Sequence, residues 1–444
     1  MFIKKYISSF SSAFLMTSLL ANAQQTQVLN LKQATELALQ NNHLLKIQKE
    51  KVSESREKIT ESKSKGKPLV YATGNYIFNG VTKDLSIPKG SFGNLAGNPL
   101  PQADVPLFQG KHNLLLGNVL AYQPVSQLKK IGIGVKVAET DVSIAQTQVT
   151  KSELDIRLGV EKLYLGILIT QKQLEETKAS LELTEMKLYD VESALIAGKT
   201  ELVNKVGLQA DLSSQQQKLL QLTNQIEDYS ADLKELTGFR SEETLVLANP
   251  EETLPPLQSL ETYLLQAKNS NPEIQLVNHT IQKANYGVQA AQSDHIPSIG
   301  LMGGYTYQNV ISDLPANNYF VGLNVSWNIF DFGKRKSELN QRISQKKQGE
   351  EYLEYMQENI RTKIEKAYRK VNQSQQLIAV AKKVVSYRKE EFKLKSDKKD
   401  SGLNLKRDLL ETKASLAKAE SDLFAAQLNY RLTLSELQSL TGIL

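Results

Sequence analysis

Most of this 444-residue chain is written twice, and that duplication constrains its fold more than any other feature. Ala38, Asn42 and His43 read against Ala267, Asn271 and Pro272 at a displacement of 229. Pro68, Tyr76 and Phe78 fall on Pro297, Tyr305 and Tyr307 at the same displacement. Further on, Tyr122 falls on Trp327, a shift of 205. Gly198 falls on Gly402, and Leu236-Thr237-Gly238 on Leu440-Thr441-Gly442, a shift of 204. The drop of 24 between two strand-like segments gives the first copy the longer loop there. A repeat of about 200 residues is too long for a solenoid, whose units run roughly 20–50 residues. Two similar halves that build one pseudo-symmetric object are expected: 24–240, then a linker at 241–257, then 258–444.

The N-terminus reads as an export address. Lys4 and Lys5 precede an apolar stretch around Phe14, Leu15, Met16, Leu19 and Leu20, and Ala21-Asn22-Ala23 supplies an A-x-A cleavage site. The expectation is a signal peptide over 1–23, cut before Gln24. The chain has no cysteine, so a disulfide, a thiolate metal site and an acylated cysteine after the cleavage site are all excluded. No later stretch has the roughly 18 continuous apolar residues of a transmembrane helix. The exported chain is therefore either soluble or enters a membrane as a β-barrel. Its net charge of +6 is interleaved with acids and reads as a solvated surface, not as a nucleic-acid tract.

Each half reads helix, strand, loop, strand, very long helix, tight turn, helix. In the first half the helix runs over Leu31–Lys63, with strands at Leu69–Asn79 and His112–Gln123. A loop rich in Gly, Pro and Asn occupies 80–111 between those strands, and a long helix then reaches Ala197. Gly198 ends it, where a C-cap glycine is useful, and another helix spans Glu201–Leu236. The second half repeats the order: helix 259–293, strands 298–309 and 318–330, a long helix to Lys399 and a last helix to Leu440. Val160, Ile167, Leu174, Leu181, Leu188 and Leu195 are seven apart, and the shorter helices alternate apolar steps of four and three from Leu208 and from Thr412. These are narrow coiled-coil seams. A helix from residue 130 to 197 is about 100 Å long at 1.5 Å per residue, suited to a rod or tunnel more than to a compact enzyme.

The strands alternate. Tyr319, Val321, Leu323, Val325, Trp327 and Ile329 face one way, and Asn318, Gly322, Asn324, Ser326 and Asn328 the other, with Phe320 as an exception. Ile299, Leu301, Tyr305 and Tyr307 oppose Ser298, Gly300, Gly304, Thr306 and Gln308 in the same manner. Strands of about 10 residues, apolar outside and polar inside, fit a transmembrane barrel. The pattern alone also fits a soluble four-stranded sheet packed on a helix. In the first copy Asn118 falls on the presumed lipid face. Four strands cannot close a membrane barrel, for which about eight is the minimum, so several chains would have to pool them. Three copies under cyclic symmetry give twelve strands and gather the helices into a tube.

At this point the chain resembles the TolC-like outer membrane efflux proteins, over essentially all of its length after the export address. The residues that carry the resemblance are Ala38-Leu39-Gln40-Asn41-Asn42-His43, which departs from the family's A-L-x-N-N-P at His43, and its counterpart Ala267–Pro272. Others are Pro297 before a strand, Trp327 through Lys334 entering a long helix, and the Gly198 and Gly402 turns. The resemblance implies a mainly α homotrimer with a small β part: a twelve-stranded barrel in outer membrane lipid, four strands per chain, continued by a coiled-coil tunnel across the periplasm. It also implies a periplasmic adaptor and an inner-membrane pump as partners, and a passive, gated exit duct for efflux or type I secretion.

The resemblance further implies that Asp408 and Glu411, three apart on one helix face, line the narrow periplasmic mouth. Threefold symmetry makes of them two rings of carboxylates, which attract cations. Some relatives hold the mouth shut with a charged link between the two turns. The matching positions here are Asn204 and Asn404, neither of which can form a salt bridge. Gly198, Lys199 and Thr200 in one turn and Gly402 and Leu403 in the other match the family's adaptor-docking tips.

No catalytic constellation competes with this reading. His43, His112, His279 and His295 show no metal-ligand spacing. No nucleophile elbow, phosphate loop or dinucleotide fingerprint occurs in a suitable context. No enzyme, cofactor, metal or nucleic-acid partner is expected. The alternative is a non-transport coiled-coil scaffold or adhesin stalk of the envelope, which would form rods and no conductance.

Overall fold

The structure, a computed structural model, describes residues 28–240, 245–250, 253–311, 314–400 and 406–444. The expected signal peptide and the second turn, with Gly402, Leu403 and Asn404, lie outside them.

The first repeat opens with β1 (Val28–Leu29), α1 (Leu31–Asn41) and α2 (His43–Ser64). Then come β2 (Leu69–Phe78), the short β3 (Leu85–Ile87), β4 (Asn94–Leu95), β5 (Asn98–Pro99) and β6 (Val105–Phe108), and β7 (Asn113–Pro124). The helices α3 (Leu128–Ile196) and α4 (Leu202–Thr237) follow. After β8 (Val246–Leu247), the second repeat has α5 (Leu260–Ser270), α6 (Pro272–Gln292), β9 (Ser298–Gln308), β10 (Asn317–Ser326), α7 (Lys334–Asp400) and α8 (Lys406–Thr441). No described helix is long and apolar enough to cross a membrane.

Four expectations change in detail. The single helices expected at Leu31–Lys63 and 259–293 are each broken in two, because an asparagine side chain stops one helix and starts the next. Asn42 accepts from the N–H of Leu45 at 3.0 Å, and Asn271 from that of Ile274 at 3.0 Å. A side-chain oxygen that satisfies an orphan N–H is the basis of N-capping, and Pro272 in the first turn of α6 needs no donor. The loop 80–111 holds two small antiparallel pairs, β3 with β6 and β4 with β5. The linker strand β8 pairs in parallel with β1. The last strand ends at Ser326, so Trp327–Phe330 lie beyond it.

The chain divides into two compact units. One takes the described residues of Met1–Asn41, Gly159–Leu254 and Ala381–Leu428. In it α1 packs on α4, and Leu29, Ala34, Ala38, Val160, Tyr164, Ile167, Leu222 and Leu233 are buried. The Tyr164 hydroxyl donates to the carbonyls of Leu29 (2.9 Å) and Ala248 (2.6 Å), which fastens β1 and the stretch after β8 to α3. Burial pushes this phenol up to about 12.

The other unit takes Asn42–Leu158, Pro255–Val380 and Asn429–Leu444. Its core includes Tyr263, Ala267, Ile274, Ile360, Ile364, Leu434 and Leu437. It also holds the four-stranded antiparallel sheet, in the order β10-β9-β7-β2. Both repeats end on the same C-cap: Gly238 and Gly442 adopt the left-handed region (φ +78° and +81°). The amides after each turn reach back, Phe239 to Lys234 (3.1 Å) and Ile443 to Gln438 (3.2 Å), which satisfies carbonyls the helix leaves unpaired.

Candidate functional site

The sheet is the first candidate. Its register assigns every side chain to a face, because directly opposed residues share one. Tyr319 lies opposite Tyr305, Val321 opposite Gly303, Leu323 opposite Leu301 and Val325 opposite Ile299. Tyr305 in turn opposes Val119, and Gly303 opposes Ala121. Tyr76, Ala72 and Val70 of β2 complete this face opposite Leu115, Val119 and Ala121. It is apolar across all four strands and exposed: Tyr319, Val321, Leu323, Val325, Val70 and Tyr76 are all more than half accessible.

The register corrects two points of the sequence reading. Asn118 does not lie on the apolar face: it opposes Thr73 on one side and Thr306 on the other, on the same face as Asn324 and Ser326. The counterpart of Tyr122 is Ser326, not Trp327. Leu69 pairs with Tyr122 as Ser298 pairs with Ser326. One bridge is repeated at the far end of each hairpin. The Tyr76 hydroxyl donates to the Asn113 side chain (2.7 Å) and the Tyr305 hydroxyl to that of Asn317 (2.6 Å). The displacement is therefore 229 for the first strand of each hairpin and 204 for the second, as for the glycines that end each repeat. Matching aromatic to aromatic shifts the last strand by one.

The outer strands of the sheet, β10 and β2, each have one edge with no partner among the described residues. An edge of this length under an apolar face is a site for pairing with another strand.

The second candidate is the helix-hairpin end of the first unit. Gly198 turns the chain at φ +67°, and Lys199 donates its N–H to Ala194 (2.8 Å). The Asn204 side chain donates to the Thr200 hydroxyl at 2.9 Å, so it is spent within its own turn. The turn is flanked by exposed apolar residues: Ile196, 90% accessible, with Leu202, Val203 and Val206.

Asp408 and Glu411 sit in the first turns of α8. They are not alone there. Glu411 lies 3.9 Å from the Lys187 ammonium and Asp408 3.7 Å from the Arg407 guanidinium. Arg407 also reaches Asp190 at 3.7 Å, and Lys413 pairs with Glu182 at 2.7 Å. A ladder of opposite charges thus links the start of α8 to α3. Each rung is partly solvent-exposed and contributes about 0–1 kcal/mol. Sequence spacing could not find it, because the partners lie more than 200 positions apart. Among the histidines, His112 bonds the Asn79 carbonyl (2.8 Å) and stacks on Phe78. Among the described residues no group of three His, Asp or Glu side chains is placed to hold a metal.

Residues 264–443 match the family described as outer membrane efflux protein. No match is found among curated protein sequences. Several solved structures share the fold. The CmeC outer membrane channel of Campylobacter jejuni aligns with a TM-score of 0.71 at 15% identity, over 93% of this chain and 85% of that one. The outer membrane protein VceC of Vibrio cholerae aligns at 0.70 and 15%, over 93% and 96%. The open-state MtrE outer membrane channel of Neisseria gonorrhoeae aligns at 0.69 and 16%, over 93% and 89%. At such identities the likeness is one of fold.

Proposed function

We propose that the chain, whose residues 264–443 match the outer membrane efflux protein family, a family of transporters and not of enzymes, is the passive exit duct of a tripartite efflux or type I secretion system. Channels of the family are trimeric. In this reading three copies pool their strands into a twelve-stranded barrel in the outer membrane, and their helices form a tunnel in the periplasm. Residues 1–23 are the export signal, and 24–240 and 258–444 are two repeats joined by 241–257.

The observation that carries this reading is the sheet: one face apolar and exposed, two edges unpaired among the described residues, each strand long enough for a tilted crossing. A soluble sheet with such a face needs a covering layer. In lipid the face is solvated as it stands, but the edges must be paired.

Asp408 and Glu411 are proposed as mouth carboxylates whose field is moderated by Lys187 and Arg407. The exposed apolar turn at Ile196–Val206, with Gly198, Lys199 and Thr200, and its counterpart at Gly402 and Leu403, are proposed to receive a periplasmic adaptor bound to an inner-membrane pump. Asn204 and Asn404 offer hydrogen bonds and no charge, and the ladder between α3 and α8 supplies a charged link that could hold the mouth.

The test is solute release from proteoliposomes, using intact protein and a variant with both hairpin turns excised. Release of a small entrapped cation through the excised variant is expected. Tight vesicles from correctly inserted excised protein would favour the scaffold reading.

A further inference from the structure

The internal duplication relates the two outer edges of the sheet to its central junction. Within the chain, β7 of the first hairpin pairs with β9 of the second, from Leu116 opposite Gln308 to Pro124 opposite Gly300. The two hairpins are equivalent at displacements of 204 and 229. The junction that closes a ring is the same junction with the repeats exchanged: β10 of one copy against β2 of the next. We infer that this pairing uses the register carried over from β7 and β9, with Val321 opposite Phe78 of the next copy, Leu323 opposite its Tyr76, Val325 opposite its Gly74, and Trp327 opposite its Ala72. This rests on the barrel reading above and adds its register.

Three observations support it. Both strands are edges of one antiparallel sheet with an even number of strands, so a further copy arrives antiparallel. The register keeps faces together: Val321, Leu323 and Val325 lie on the apolar face, as do Phe78, Tyr76 and Gly74. A slip of one residue would set apolar against polar throughout.

The third observation concerns strand length. β7 extends two residues beyond its pairing with β2, through Gln123 and Pro124, and those two are paired by β9. Their counterparts are Trp327 and Asn328, just past the end of β10, where Trp327 is 55% accessible. The inferred register supplies the missing partners, Ala72 and Tyr71 of the next copy. Trp327 and Asn328 thus become strand in the assembly, and the indole is held on the lipid face.

The chain has no cysteine, so pairs can be introduced cleanly. Directly opposed residues have Cα atoms about 4.5–5.5 Å apart, within reach of a disulfide, whereas a shift of two residues moves them out of reach. Full-length protein carrying Leu323→Cys with Tyr76→Cys, oxidised in outer membranes, should run as a covalent trimer on a denaturing gel. Leu323→Cys with Gly74→Cys, or with Phe78→Cys, should give at least tenfold less. Trp327→Cys with Ala72→Cys repeats the test at the other end and guards against one pair that fails to fold. Stronger cross-linking by a shifted pair would overturn the register and leave the barrel standing. No cross-link between copies from any pair, in protein shown to be inserted, would overturn both.

Discussion

The side-chain amide of Asn271 donates to the carbonyl of Leu440 across 2.8 Å, while its oxygen accepts from the N–H of Ile274. One buried side chain thus caps α6 and ties it to the end of α8. In the first repeat two side chains share these roles. Asn42 caps α2, and Asn41 donates to the Thr237 carbonyl at 2.8 Å. Asn271→Ala removes a cap and leaves a carbonyl unpaired, and should cost about 2–3 kcal/mol. Asn41→Ala keeps the cap and should cost about 1 kcal/mol. Urea unfolding of the detergent-solubilised protein, followed by helical circular dichroism, measures both.

The C-cap glycines differ from the turn glycine in what surrounds them. A Cβ on Gly442 would lie 2.2 Å from the Ser270 carbonyl oxygen, and one on Gly238 2.7 Å from the Asn41 Cβ. Gly198 has nothing within 4 Å. Gly198→Ala should therefore cost only the left-handed conformation, about 1 kcal/mol. Gly442→Ala adds a backbone clash and should cost several times as much. Comparison of their thermal midpoints checks the order.

Tyr164 is a phenol kept neutral by burial, its hydroxyl directed at two carbonyls. Its folded pKa, about 12, lies above the ordinary value of 10.0, so its contribution is present below pH 10 and lost as pH rises toward 12. Tyr164→Phe should destabilise at pH 8 by about 1–2 kcal/mol and should flatten the decline in thermal midpoint above pH 10. A decline as steep as in the unaltered protein would assign the alkaline sensitivity to other groups.

The two faces of β10 should respond oppositely to charge. Leu323→Arg places a guanidinium on the lipid face and should cost about 2–4 kcal/mol near the membrane midplane. Asn324→Arg, one residue on, points to the polar face and should be tolerated. The yield of heat-resistant trimer from outer membranes reads the difference. Equal tolerance would mean that this face does not meet lipid.

Much of this is legible in the sequence, for definite reasons. A period of two marks the strands and a period of three and four the long helices, because burial on one face imposes those spacings. Features set by a distant partner are not legible. The breaks at Asn42 and Asn271 interrupt helices whose apolar pattern continues through them, and Asn41 and Asn271 have their partners at the ends of α4 and α8. β1 and β8 are two residues each and exist because they meet. Matching by residue type errs by one at the last strand, since Trp327 resembles Tyr122 while the hydrogen-bond register puts Ser326 in its place. At the start of α8, the acids are visible in the sequence and the cation beside Glu411 is not, since Lys187 comes from the other repeat.

The central claim is a conducting duct, and single-channel recording in a planar bilayer tests it most directly. The purified protein should give discrete cation-selective steps, and the Asp408→Asn/Glu411→Gln double variant should keep the steps and lose most of the selectivity. Absence of any steps from inserted protein whose hairpin turns have been excised would contradict the account.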